Sequence, residues 1–346
     1  MKRYKRAAPF VVFGPSKSGT TWLQKLLNSH PDIRCHFQLS LLPISPEHGL
    51  FAKAKGVFNQ NRSPFKGVFE NEEAEKQYFN RQKYLIQLQK EIEQTTNQLK
   101  IGKSETEQAH INEFRYETLR GIFEAFLYDN SSKKIFGNKA YTDLGLLFKI
   151  YPDAKVVNII RDGRDVCVSK RFHTLRMGTY YHGDEKNKLL YQLNRTELGR
   201  KISRKLHYKL GVFGEDNFKK VNDDGLLFSE AALEKMVTDW ALVVNYILDW
   251  QDRKSEQMLL VHYEKLRIQP EKEVTRILTF LDADNSQKTV QEIVNKNSFS
   301  KLKSGNKNGF FRKGISGDWK NHFTEKDIQL FKRITGDLIE RCGYDD

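Results

Sequence analysis

The sequence predicts an α/β protein: a P-loop-like, three-layer fold with a mainly parallel central sheet flanked by helices, plus helical insertions. Three observations predict it. Short apolar runs rich in β-branched residues alternate with helical patterns, the order that lays strands parallel and covers both faces of a sheet. The first run leads through a glycine turn straight into a helix. The 346 residues are 38% hydrophobic and 29% charged, enough apolar side chains for a core, which excludes a disordered chain.

Phe10-Val-Val-Phe13 reads as a buried strand, followed by the turn Gly14-Pro-Ser-Lys-Ser-Gly19. Trp22, Leu23, Leu26 and Leu27 then fall on one helical face, and His30-Pro31 stops that helix. Residues 59–130 read as an insertion. Leu85, Leu88, Ile92 and Leu99 line one side of a charged helix, and Ile111, Phe114, Ile122 and Phe126 part of another. A helical hairpin packed on itself or on the core accounts for this; the alternative is a homodimer contact, although the repeat is too short for a coiled coil. Ile135-Phe136, Val156–Ile160 and Met258–Val261 are three further strands, making four in all. Helices are expected from Val166, over Trp240–Trp250 and over Val274–Leu281. Residues 173–230 form a second insertion, basic and polar, read as helices and loops over a substrate entrance. One domain, 1–346, holds all of this.

Lys and Arg number 58 against 44 Asp and Glu, a formal charge of +14, which favours an anionic partner without naming it. Cys35, Cys167 and Cys342 are too few and too scattered for a disulfide scaffold or a zinc cluster. No apolar run reaches the roughly 18 residues needed to span a bilayer. The apolar stretch after the basic N-terminus is too short for a signal sequence, so the expected location is cytoplasmic.

Gly14-Pro-Ser-Lys-Ser-Gly-Thr-Thr21 has the glycine spacing of a phosphate loop, whose backbone amides and following helix start cradle phosphate oxygens. The nucleotide triphosphatase form, GxxxxGK[ST], places lysine after the second glycine. Here Thr20 stands there and the lysine, Lys17, lies inside the turn. No acidic magnesium partner follows Val156–Ile160, where the next residue is Arg161. The pattern points to an anion cradle with a cation near the terminal group, built for chemistry without a metal. Arg161 leaves a strand at the end where open α/β sheets bind ligands, and Ser169 lies about two helical turns on. A guanidinium and a hydroxyl suit a phosphate monoester. The competing fate for Arg161 is an ion pair with Asp162 or Asp165. Arg312, Lys313 and Gly314 open a third basic cluster, followed by Gly317-Asp-Trp319 and the helix-capping Thr324.

Taken together these residues resemble the cytosolic-type sulfotransferase family, which uses 3′-phosphoadenosine 5′-phosphosulfate (PAPS) and releases adenosine 3′,5′-bisphosphate (PAP). The run Lys17–Trp22 resembles the family's 5′-phosphosulfate loop. Arg161 and Ser169 resemble its 3′-phosphate site. Phe311–Thr324 resembles its C-terminal signature, and His262–Leu266 with Pro270 the segment whose tyrosine, here Tyr263, lies near the nucleotide. Asn297 and Phe299 fall where the family places a polar residue and an adenine-stacking aromatic. The resemblance implies PAPS as co-substrate, bound by Ser16, Lys17, Ser18, Gly19, Thr20, Thr21, Trp22, Arg161, Ser169, Tyr263, Asn297, Phe299, Arg312, Lys313 and Gly314, with no metal. A sulfuryl group would pass in line to a hydroxyl or amine of a small-molecule or glycan acceptor, with Lys17 stabilising the leaving oxygen.

The chain departs from the family at the base. The segment Phe136-Gly-Asn-Lys-Ala-Tyr141 carries neither the family's histidine nor the carboxylate of other branches, which would stand at Asn138. Lys139 remains able to stabilise sulfuryl oxygens. His36, then His173, are the candidate bases, since imidazole suits proton abstraction near neutral pH. The rival readings are a non-catalytic PAPS or PAP binder, a P-loop kinase or triphosphatase, and a nucleic-acid-binding protein. No module motif supports the last, so no nucleic-acid partner is expected.

Overall fold

A computed structural model of the chain describes residues 8–39, 41–42, 72–128, 131–176, 196, 198–199, 202, 226–298 and 314–344. These fall into two compact units. One comprises the described residues of 1–14, 19–160 and 247–308; the other those of 15–18, 161–246 and 309–346.

The first unit is built on a five-stranded parallel sheet. Its strands are β1 (Phe10–Phe13), β2 (Ile33–Phe37), β3 (Ile135–Lys139), β4 (Lys155–Ile160) and β5 (Met258–His262), in the spatial order β2-β3-β1-β4-β5. β1 pairs with β3 on one side, Val11 beside Asn138, and with β4 on the other, Phe13 beside Asn158. Every residue of β1, and all of β4 after Lys155, is buried, as expected of central parallel strands covered on both faces. Each fully buried Val, Ile or Phe in such a strand contributes about 1.5–3 kcal/mol.

The expectation of four strands is corrected here: β2 is a fifth. It alternates buried Ile33 and Cys35 with exposed Arg34 and half-buried His36, and among the described residues it pairs only with β3, at the sheet edge. His36 therefore lies within an edge strand.

That helix, α1 (Thr20–Asn28), buries Trp22, Leu23, Leu26 and Leu27. The hairpin is α2 (Glu72–Leu99) and α3 (Glu105–Leu127), whose second helix opens on a reciprocal capping box of Ser104 and Glu107. Its buried faces differ from the expectation. On α2, Tyr78, Gln82, Leu85, Gln89 and Thr96 are buried, while Leu99 is 51% exposed. On α3 the stripe is Leu119, Phe123 and Leu127, and Phe114 is 67% exposed.

Two of these polar groups have partners beyond the hairpin. Tyr78 Oη donates to the Gln38 carbonyl at 2.9 Å, and Gln89 Oε1 accepts from the Leu42 amide at 2.7 Å. From the sheet, Asn138 grips Leu39 twice, accepting its N–H at 3.1 Å and donating to its carbonyl at 2.8 Å. The Gln38 amide donates to Lys139 O, and the Asp143 amide to Leu42 O, each at 2.8 Å. The hairpin thus braces the segment leaving β2.

Further along, α4 (Leu144–Ile150) is capped by Asp143, and Phe148 packs on Trp250 with ring centroids 5.4 Å apart. α5 (Gly163–Arg176) and α6 (Glu230–Arg253) follow β4 in the chain. α7 (Tyr263–Ile268), α8 (Pro270–Phe280) and α9 (Gln287–Lys296) follow β5. The second unit contains α5, α6 up to Tyr246, a 3₁₀ turn at Asp318–Asn321, α10 (Glu325–Thr335) and α11 (Leu338–Arg341). Its core is the Trp240–Phe331 pair, and Gly163 lies so close that an added Cβ would sit 2.7 Å from Trp240 Cδ2. The three cysteines are buried, and burial pushes the Cys342 thiol up to about 12. Among the described residues no helix is long and apolar enough to cross a membrane.

Candidate active site

The glycine turn leaves β1 and enters α1, and its two glycines are sterically fixed. A Cβ on Gly14 would lie 2.2 Å from the Ile159 carbonyl oxygen. Gly19 caps α1 in the left-handed region at φ 93°, and its Cβ would lie 2.6 Å from Tyr263 Cδ2. The first intrahelical bond runs from the Leu23 amide to Gly19 O, so the amides of Thr20, Thr21 and Trp22 stand at an open helix start.

Tyr263 is buried and meets Trp22 edge-on, ring centroids 5.8 Å apart. The Trp22 indole N–H donates to Asn297 O at 3.1 Å, and the Asn297 side chain donates to Ser29 Oγ and Ile293 O at 2.8 Å. Trp22, Tyr263 and Asn297, distant in sequence, are thereby brought together behind the start of α1. Lys139, buried on β3, donates to Thr21 Oγ1 at 3.3 Å and lies 4.4 Å from the centre of the Phe37 ring. Asn138, beside it, is committed to the Leu39 backbone. His36 Nε2 lies 2.7 Å from Leu127 O. A carbonyl only accepts, so Nε2 carries a proton and any basic lone pair on neutral His36 is at Nδ1.

The second unit holds the turn's interior and the arginine cluster. Ser18 is fully buried; its amide donates to Pro15 O at 3.2 Å, and its hydroxyl has no hydrogen-bond partner among the described residues. Ser16 is exposed and Lys17 half-buried. Lys17 adopts φ 72°, a left-handed conformation that costs a non-glycine residue about 1 kcal/mol or more and is found at functional turns.

Arg161 is 6% exposed. Its Nη2 donates to Ile315 O at 2.8 Å and lies 3.3 Å from Asp165 Oδ2. Of the two ion pairs weighed for Arg161, Asp165 supplies one, while Asp162 is held in a fork by Arg164, at 3.0 and 2.9 Å. Arg164 in turn lies 4.1 Å over the Trp319 ring. Burial pushes the Asp165 carboxyl up, against the pull of Arg161 and of the Gly317 and Trp319 amides. Ser169 and His173 are half-buried on α5, and Gly314 takes φ 63°. Phe299, Arg312 and Lys313 lie outside the described residues.

Two features were not assigned a site role by sequence reasoning. Phe37 ends β2 and Tyr141 lies two residues beyond β3, edge-on to Phe13 at 5.6 Å. Asp165 entered only as a counter-ion, although its place four residues after Arg161, one helical turn, is readable in the sequence.

A family model described as the sulfotransferase domain matches residues 8–343. Sulfotransferase 1B1 of Mus musculus is 32% identical over 113 residues, 27% of this chain and 38% of the relative. Sulfotransferase 1E1 of Homo sapiens is 34% identical over 90 residues, 22% of this chain and 31% of the relative. The chain thus spans under half the length of these curated relatives. Among solved structures, mouse sulfotransferase SULT7A1 complexed with PAP aligns over 96% of this chain and 85% of its own, at 15% identity and a TM-score of 0.46.

Proposed function

The chain belongs to the sulfotransferase domain family, and from that premise we propose that it transfers the sulfuryl group of PAPS to a hydroxyl or amine of a small-molecule or glycan acceptor, as one sulfotransferase domain in the cytoplasm. The observation that carries the reading is the turn 14–21. Two glycines that admit no side chain, an open helix start, a left-handed lysine and a buried serine hydroxyl that has no partner among the described residues suit phosphate oxygens, and the residues present therefore fit an anionic donor. Several of the relatives carry the same activity in their names, and the SULT7A1 structure holds PAP.

The residue roles are part of the proposal. Ser16, Ser18, Gly19, Thr20, Thr21 and Trp22 hold the 5′-phosphosulfate end; Arg161, Ser169, Arg312, Lys313 and Gly314 the 3′-phosphate; Tyr263, Asn297 and Phe299 the adenosine. The acceptor atom forms its bond to sulfur as the bond from sulfur to the bridging phosphate oxygen breaks, and the acceptor proton passes to a base. Charge grows on that bridging oxygen, where the Lys17 ammonium stabilises it; a loose transition state rewards such fixed cations. Lys139, hydrogen-bonded to Thr21, stabilises sulfuryl oxygens. Asn138, an amide tied to backbone, takes no proton. His36 through Nδ1, or His173, serves as base.

The test is transfer from labelled PAPS, with PAP affinity by calorimetry, on the native chain and on Lys17→Ala. Transfer is expected to fall about 100-fold or more in the variant, with PAP affinity kept within about threefold, since the lysine acts on the leaving oxygen. Native-like turnover in Lys17→Ala removes its role; absence of PAP binding to the native chain removes the whole reading; binding without transfer identifies a non-catalytic nucleotide binder.

A further inference from the structure

We propose that Asp165 is a positioning residue for the 3′-phosphate of the nucleotide: it clamps the Gly314–Trp319 turn against Arg161 and so makes affinity for the 3′-phosphorylated donor depend on a side chain that does not itself touch it. The proposal rests on the sulfotransferase reading and adds a residue to which that reading gives no role.

Asp165 is 1% exposed on α5, one turn beyond Arg161. A buried carboxylate needs full compensation, and here three donors supply it: the Gly317 amide at 2.8 Å, the Trp319 amide at 3.0 Å and the Arg161 guanidinium at 3.3 Å. The two amides open the 3₁₀ turn Asp318–Asn321, whose preceding residue, Gly317, is left-handed at φ 79° and provides no side-chain cap. Asp165 therefore caps that turn from another helix. Arg161 adds the third link by donating to Ile315 O at 2.8 Å. Arg161, just before α5, and Asp165 in its first turn thus hold three backbone groups within five residues of the C-terminal turn, all inside the second unit.

That turn directly follows Arg312 and Lys313 in the chain and begins at Gly314. Fixing it to Arg161 fixes where Gly314 and Arg161, two described members of the proposed 3′-phosphate site, stand relative to each other. The Asp165 contact also leaves the arginine its charge and fixes its orientation. The acid is required rather than its shape. Asparagine offers one acceptor oxygen and turns an NH₂ toward a backbone N–H or toward Arg161.

The experiment compares PAP with adenosine 5′-phosphate, which lacks the 3′-phosphate, on the native chain and on Asp165→Asn. The variant is expected to bind PAP about tenfold or more weakly while its affinity for adenosine 5′-phosphate stays within about threefold, and KM for PAPS is expected to rise with little change in kcat. A role limited to stability would weaken both nucleotides alike, and equal weakening overturns the proposal, as does unchanged PAP affinity. Should the variant not fold, hydrogen exchange on the native chain decides. PAP is expected to slow the Gly317 and Trp319 amides more than adenosine 5′-phosphate does, and equal protection overturns the proposal. If the native chain binds neither nucleotide, the sulfotransferase reading has failed; if it binds PAP and the variant binds it equally well, the Asp165 proposal alone has failed.

Discussion

Gly19 carries two constraints at once, a left-handed backbone and the Tyr263 ring where a side chain would stand. Gly19→Ala is therefore expected to cost about 1–3 kcal/mol, read as a lower urea midpoint at unchanged m-value, and to weaken PAP binding with it. A midpoint within error of the native one would show that the turn has room to shift. The need for glycine here was legible, because turn, strand and helix are contiguous in the chain. The Tyr263 contact was not, since it depends on β5 returning beside β4. The same division runs through the other site residues. Arg161 could be placed from the strand before it. Asn297, expected near adenosine, also donates through its side-chain NH₂ to Ser29 and Ile293, contacts with no signal in the local sequence. Asn138, where a carboxylate was sought, secures Leu39 instead, a use that no local pattern announces.

Among the elements, α3 gives a pH prediction. The Ser104 amide, Lys103 and the Ser104 hydroxyl hold the exposed Glu107 carboxyl down, from 4.5 to about 2. A depressed acid adds its stabilisation fully above the unfolded value and loses it as pH falls through the folded one. The start of α3 is therefore expected to loosen between about pH 4.5 and 2, seen as faster amide exchange over residues 104–108, and Glu107→Gln should remove that acid step. An acid response equal in both proteins would assign the step to other carboxylates. The hairpin was visible in the sequence through its apolar positions, not through this capping box. Its inward stripe was misplaced because polar Gln82, Gln89 and Thr96 occupy buried positions that a search for apolar periodicity passes over. β2 was missed although Ile33, Cys35 and Phe37 alternate with polar neighbours. Five residues with a histidine and an arginine make a weak strand signal, and only pairing with β3 settles it.

For the whole molecule, the order β2-β3-β1-β4-β5 makes the chain move one way from β1 and then the other, so that the turn after β1 and the arginine after β4 leave adjacent strands at their C-terminal ends. Open α/β sheets bind ligands at such a reversal. The lysine within the turn and Arg161 at the strand end lead to a further expectation: transfer proceeds undiminished in EDTA, and KM for PAPS rises from 0.05 to about 0.5 M salt as the charge excess of +14 is screened. A rate that collapses in EDTA and recovers with magnesium would return the chain to the kinase alternative.

The bracing of the segment after β2 limits how the chain can be shortened. Excising residues 72–127 as an apparent appendage would strip the Gln38 carbonyl and the Leu42 amide of Tyr78 and Gln89, each orphaned group costing about 1–3 kcal/mol if it stayed dry. Natural variation and engineering can redecorate the outward side of those helices freely, but the pair must be inherited with the sheet it serves, like a buttress with its wall.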